Sequence, residues 1–183
     1  PGPPVVSKFE FWPAPVFYLP VVLYCAWLAI RHRGLTLPTA ANPGIYSGGL
    51  VRESKASILA LVPADHADLV LPWVLVRRRG RGVGAEPRDV PRALRMLARA
   101  GLAFPVVAKP DEGQRGDGVQ VLHDEHDLAR YLARSPREVP VMLQKLATGR
   151  EEAGLFYWRH PARRRGVLGS ITRKHFPTVT GNG

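Results

Sequence analysis

The chain has 183 residues, 45% hydrophobic and 22% charged, which suits one ordinary domain or two small ones and excludes a disordered polymer. Its net charge of +11 favours an anionic partner: nucleic acid, a membrane surface or a phosphorylated small molecule. A single cysteine, Cys25, excludes an intramolecular disulfide framework and fits a reducing, cytoplasmic compartment; in its apolar setting it reads as a small hydrophobe rather than a nucleophile.

The first element is apolar. Residues 11–30 carry no charge, and Arg31, His32 and Arg33 follow at once. That is length enough to cross a bilayer, with tryptophans toward both ends. Pro13, Pro15 and Pro20 argue instead for a buried or membrane-resting segment with peripheral membrane contact, because proline removes a donor and kinks a helix. Residues 35–50 are rich in Pro, Gly, Asn and Thr and read as loop. "ESKASILALV" starts a short helix, with Ser47 or Ser54 as cap. A strand over 69–78 leads into a basic, glycine-rich hinge over 77–89.

The next helix runs from Asp89, with Asp89 as cap, Pro91 in its first turn, Leu94, Leu97 and Ala98 on one face, and Gly101 past its end. A strand over Phe104–Lys109, a loop and a strand over Val119–Leu122 follow. A helix over Asp124–Arg134 then places Leu128, Tyr131 and Leu132 on one side. Further strands are expected at Val139–Leu146, Gly154–Arg159 and Gly166–Lys174. The order predicts an α+β fold, with residues 1–60 as an apolar N-terminal region and residues 61–183 as the main domain. Pro1 in place of Met, and the closing turn-like "TVTGNG", read as a piece of a longer protein.

Chemistry concentrates in "FPVVAKPDEGQRGDGVQVL", residues 104–122. Pro110 to Gly118 is more chain than a hairpin turn requires. Gly113, Gly116 and Gly118 permit positive φ and close approach to a ligand, and successive backbone N–H groups in such turns form an anion site. Lys109 at the strand end and Arg115 on the loop supply cations, and Gln114 lies between the glycines. The alternative is a solvated glycine-rich hairpin. Downstream, "VMLQKLATGREE" turns a strand into a linker at Gln144, Lys145 and Leu146, whose free backbone groups can read an adenine edge. Glu151 or Glu152 can then accept from ribose hydroxyls, and "ITRKHF" delivers Lys174.

This pattern of strand-Lys-Pro, glycine loop, strand, helix, Gln-linker-Gly-x-x-Glu and a strand ending in lysine resembles the ATP-grasp superfamily. More narrowly, it resembles the D-alanine–D-alanine ligase-like carboxylate–amine ligases. "ANPGIYSGGLVRESK", "EAGLFYWRHP" and "GSITRKHFPTVTGNG" are similar to a bacterial branch of that group. The resemblance implies an ATP-grasp nucleotide-binding lobe over 61–183. In it Lys109 and Lys174 would meet ATP phosphates, Gly113, Gln114, Arg115, Gly116 and Gly118 would lie in the loop that closes over them, and Gln144, Lys145 and Leu146 would line the adenine site. Glu152, with Glu151 as the alternative, would hold the ribose. The loop is expected to be mobile without nucleotide. The implied reaction joins an unknown carboxylate to an amine through an acylphosphate, using ATP and Mg²⁺, with the metal ligands expected beyond residue 183; this stretch alone is expected to be inactive.

Other signals are weaker. His123 and His126 beside Asp124 and Asp127 lack a third ligand and read as a solvated helix start. The runs Arg77–Arg79 and Arg163–Arg165 read as solvated surface, because no nucleic-acid module accompanies them. The rival class is a non-catalytic, basic, membrane-associated module.

Overall fold

A computed structural model describes residues 12–51, 53–113, 116–149 and 151–174. Two compact units divide at Lys145 and Leu146. The first holds helices α1 (Ala14–Arg31), α2 (Lys55–Leu59), α3 (Asp89–Arg99) and α4 (Glu125–Arg134), and strands β1 (Trp73–Val76), β2 (Val106–Pro110), β3 (Gln120–Leu122) and β4 (Val141–Lys145). The second holds β5 (Glu152–Trp158) and β6 (Val167–Lys174), an antiparallel pair. Helices and antiparallel sheet together make the fold α+β, as the element order predicts.

The four-stranded sheet has the order β1-β4-β2-β3, and every neighbouring pair is antiparallel. Two crossovers therefore arise, β1-α3-β2 and β3-α4-β4. Both place their helix on one face, where Ala93, Leu97, Leu128, Tyr131 and Leu132 pack against Val76, Val106, Ala108, Leu122, Val141 and Leu143. The anticipated face of α4 is buried as read. On α3 the inward residues are Ala93 and Leu97, while Leu94 is half-buried and Ala98 exposed.

Several boundaries shift for local reasons. β1 begins after Pro72 and β2 after Pro105, since a proline cannot donate to a ladder. Residues 64–69 coil into a 3₁₀ turn instead of extending β1. Within 35–50, short 3₁₀ turns form at Leu37–Ala41 and Tyr46–Gly49. Ser54 caps α2 by accepting from Ser57 N, and Asp124 caps α4 by accepting from Asp127 N. Asp89 is not a cap: it is the first residue of α3, after Arg88. The apolar segment forms one helix that continues through Pro20, and it is exposed along most of its length rather than buried. Its residue Phe11 lies outside the described residues.

The basic hinge is only partly a solvated surface. Arg79 and Arg81 are exposed, but Arg78 is buried and donates to four carbonyls: Leu132 O and Pro136 O at 2.7 Å, Gly84 O at 3.1 Å and Ser135 O at 3.2 Å. Burial pulls its pKa down, and the nearby charge of Asp89 opposes that pull. Arg137, also buried, donates through Nε to Arg79 O at 2.7 Å and through Nη1 to Asp89 Oδ2 at 3.2 Å, and its Nη2 lies 2.9 Å from Glu86 Oε1. These two guanidiniums fasten the end of α4 to the hinge. Replacing Arg78 by Ala strands several carbonyls and is expected to destabilise the unit by about 3 kcal/mol. Arg92→Ala, on the exposed side of α3, should change stability by less than about 0.5 kcal/mol. Urea unfolding of both variants measures the difference, and equal midpoints would refute the structural role of Arg78.

Candidate functional site

Strand alternation gives the sheet a second face, opposite the helices, that carries Trp73, Leu75, Val107, Lys109, Val121, Met142 and Gln144. Met142 is fully buried at its centre, in register between Leu75 and Lys109; the others are half-buried or exposed. This is an apolar platform bearing two polar side chains. Lys109 Nζ donates to Gln144 Oε1 at 2.7 Å, and Gln144 Nε2 donates to Leu71 O at 3.0 Å. The pairing orients the amide, since only its oxygen can accept from an ammonium.

Lys109 has a lowered pKa, first from burial and then from the like charge of Lys55. Lys55 stands at the foot of the glycine loop. Its Nζ donates to Gly113 O at 3.0 Å, Pro110 O at 3.1 Å and Asp111 O at 3.2 Å, which uses all three ammonium protons. Between the two lysines the chain turns at Asp111, whose buried carboxylate accepts from Ser54 Oγ at 2.8 Å and from Ala56 N at 2.8 Å. The backbone adds Lys55 N to Asp111 O at 3.1 Å and Asp111 N to Pro140 O at 2.9 Å.

The return arm of the loop is fastened as well. Tyr131 donates its hydroxyl to Gly118 O at 2.7 Å, and burial pushes the phenol's pKa up. Gly118 has φ of 70°, and a Cβ there would come within 2.7 Å of Pro110 Cγ, so no larger residue fits without displacement. Gly116 also has positive φ, at 76°, with open space beside it. Gln114 and Arg115 lie outside the described residues.

Lys109, Gly113, Gly116, Gly118 and Gln144 thus share one region of the first unit. Lys145, at the end of β4, is exposed and donates its backbone N–H to Pro72 O at 2.9 Å. Leu146 opens the second unit. There, Glu152 and Lys174 face each other across β5 and β6 with an ion pair at 3.0 Å, and Glu151 pairs with Arg173. Both candidate ribose acceptors therefore hold cations of β6. Sequence reading missed Lys55 and Asp111: the cap at Ser54 was visible, but nothing local announced a contact 57 positions away.

The metal ligands implied by the resemblance are expected beyond residue 183. Among the described residues no group of three or more His, Cys, Asp or Glu could hold a metal ion. At the start of α4, His123 N donates to Asp127 Oδ2, and Asp124 is occupied as the cap.

No family model matches the chain, and no curated protein matches it. A solved structure of D-alanine–D-alanine ligase from Helicobacter pylori is similar at 17% identity and a TM-score of 0.37, over 71% of this chain and 39% of that one. This chain therefore spans well under half of that ligase's length.

The electrostatic pairing of the two lysines has a direct check. Lys55→Met removes a neighbouring positive charge, so the Lys109 pKa should rise toward the ordinary lysine value without reaching it, because burial remains. Carbon-13 NMR of labelled lysine side chains over a pH titration would read this, and an unmoved Lys109 would refute the coupling.

Proposed function

We propose that the first unit binds the triphosphate and base of ATP on the open face of its sheet. The full protein of which this site is part is then an ATP-dependent ligase joining a carboxylate to an amine through an acylphosphate. The observation that carries the reading is Lys109, a partly desolvated ammonium beside Gln144 on a largely apolar platform, one residue before the anchored foot of a glycine loop. A lysine in that setting gains more from a phosphate oxygen than a lysine in water does.

In this reading Lys109 meets phosphate, and backbone N–H groups between Gly113 and Gly118 surround it. Val107 and Val121 supply apolar surface for the base. Gln144, Lys145 and Leu146 offer hydrogen-bonding groups to the adenine edge. For the second unit the sequence resemblance alone suggests Glu152 or Glu151 for the ribose hydroxyls and Lys174 for a phosphate. The carboxylate oxygen attacks the terminal phosphorus and ADP leaves; the amine then attacks the acyl carbon and inorganic phosphate leaves. The contribution of this chain's residues is charge neutralisation and positioning.

Lys109→Met should weaken ATP binding by about tenfold or more, the scale of a charge-assisted contact in a partly desolvated site. Arg164→Met, on an exposed turn, should change it less than about twofold. ATP should also slow tryptic cleavage after Arg115. Calorimetry and limited proteolysis test this together. Equal losses in the two variants, or a loop that ATP leaves unprotected, would overturn the site and favour the non-catalytic basic module.

A further inference from the structure

Among the described residues, helix α1 exposes a long apolar surface. Its one charged residue is Arg31, and Val16, Leu19, Leu23 and Trp27 are each about half exposed or more. At about 100° per residue, Val22, Leu23, Tyr24 and Val21 fall on four different sides, so the helix has no polar face. Proteins seldom leave so much contiguous apolar surface in water. A protein groove would cover one side of α1 and leave the rest wet, whereas lipid covers all sides.

The charge nearby selects the kind of lipid. Arg31, His32 and Arg33 close the helix, and residues 12–52 contain no acidic side chain. Tyr24 stacks on Trp27, and the Arg31 guanidinium lies 5.2 Å from the Trp27 ring centre. An aromatic pair beside a cationic end suits the boundary between acyl chains and headgroups. Arg88, just before α3, and Arg92, Arg95 and Arg99 along it are exposed and raise the positive charge of the first unit.

Length sets how the helix sits. Eighteen residues span about 27 Å against about 30 Å of hydrocarbon. Among the described residues no helix is long and apolar enough to cross a membrane. Beside α1, Gly34, Leu35, Leu37 and Pro38 wall a mostly apolar groove of about 560 Å³ with Val22, Cys25 and Ala29, and His32 stands at it. We propose that α1 embeds in one leaflet of an anionic bilayer, with Arg31, His32 and Arg33 at the headgroups and the groove taking acyl chain.

The test is flotation of the chain with phosphatidylcholine vesicles, with or without about a third phosphatidylglycerol. Binding should be several-fold stronger to the anionic vesicles and should weaken in high salt. Leu19→Asp/Leu23→Asp changes two exposed positions and should reduce binding by about tenfold or more. Arg31→Glu/Arg33→Glu should abolish the preference for anionic lipid. Circular dichroism and ATP binding, unchanged in both variants, verify that the fold is kept. Flotation with neither vesicle, or equal flotation of the aspartate variant, overturns the proposal. So does a lipid-free dimer, in sedimentation, that the aspartates dissociate, because α1 would then be covered by a second copy.

Discussion

A carboxylate in a protein interior must find donors, and in this chain Asp111 finds them far away in sequence. Its oxygens take Ser54 Oγ and Ala56 N, while the adjacent Lys55 ties off three carbonyls of the loop. One buried acid thereby fixes the start of α2 against the end of β2. The foot of the glycine loop and the position of Lys55 follow from that attachment, and Lys55 adds its charge to the burial that already lowers the Lys109 pKa. Losing one partner of such a network typically costs more than any single hydrogen bond contributes, since the remaining groups stay buried and unpaired.

The helix-covered face obeys a second constraint. Crossovers over β4 and β2 bring α3 and α4 together, and the turn at the end of α4 must then meet the hinge before α3. At that junction Gly84, Leu132, Ser135 and Pro136 present carbonyls to Arg78, and Arg79 and Gly84 present theirs to Arg137. Arg78 and Arg137 satisfy them with guanidinium donors. Arginine suits the place because it offers five N–H groups in a fixed plane and stays charged when partly desolvated.

The regular elements were legible because period and turn chemistry both mark them. Leu128, Tyr131 and Leu132 recur at helical spacing and are buried, and prolines at 72 and 105 explain why strands begin later than their apolar runs. The α3 cap was misread because Asp89 is engaged by Arg137, a partner 48 residues on. The site was half legible. Lys109 and the glycines are consecutive in the chain, whereas Lys55 and Asp111 join only through tertiary contact. Arg78 looked like any other member of a basic run, since composition cannot tell a solvated guanidinium from one that faces four carbonyls.

The bond from Lys109 to Gln144 has a consequence for selectivity. In the free protein the ammonium already has an acceptor, an amide oxygen held in place by Leu71. That bond uses one of the three ammonium protons, so a newcomer can be met by the others, and neutral oxygens gain little from them. An oxygen with full negative charge gains roughly twice as much from the same donor. An ammonium oriented in this way by its resident amide would favour phosphates and carboxylates over neutral oxygens.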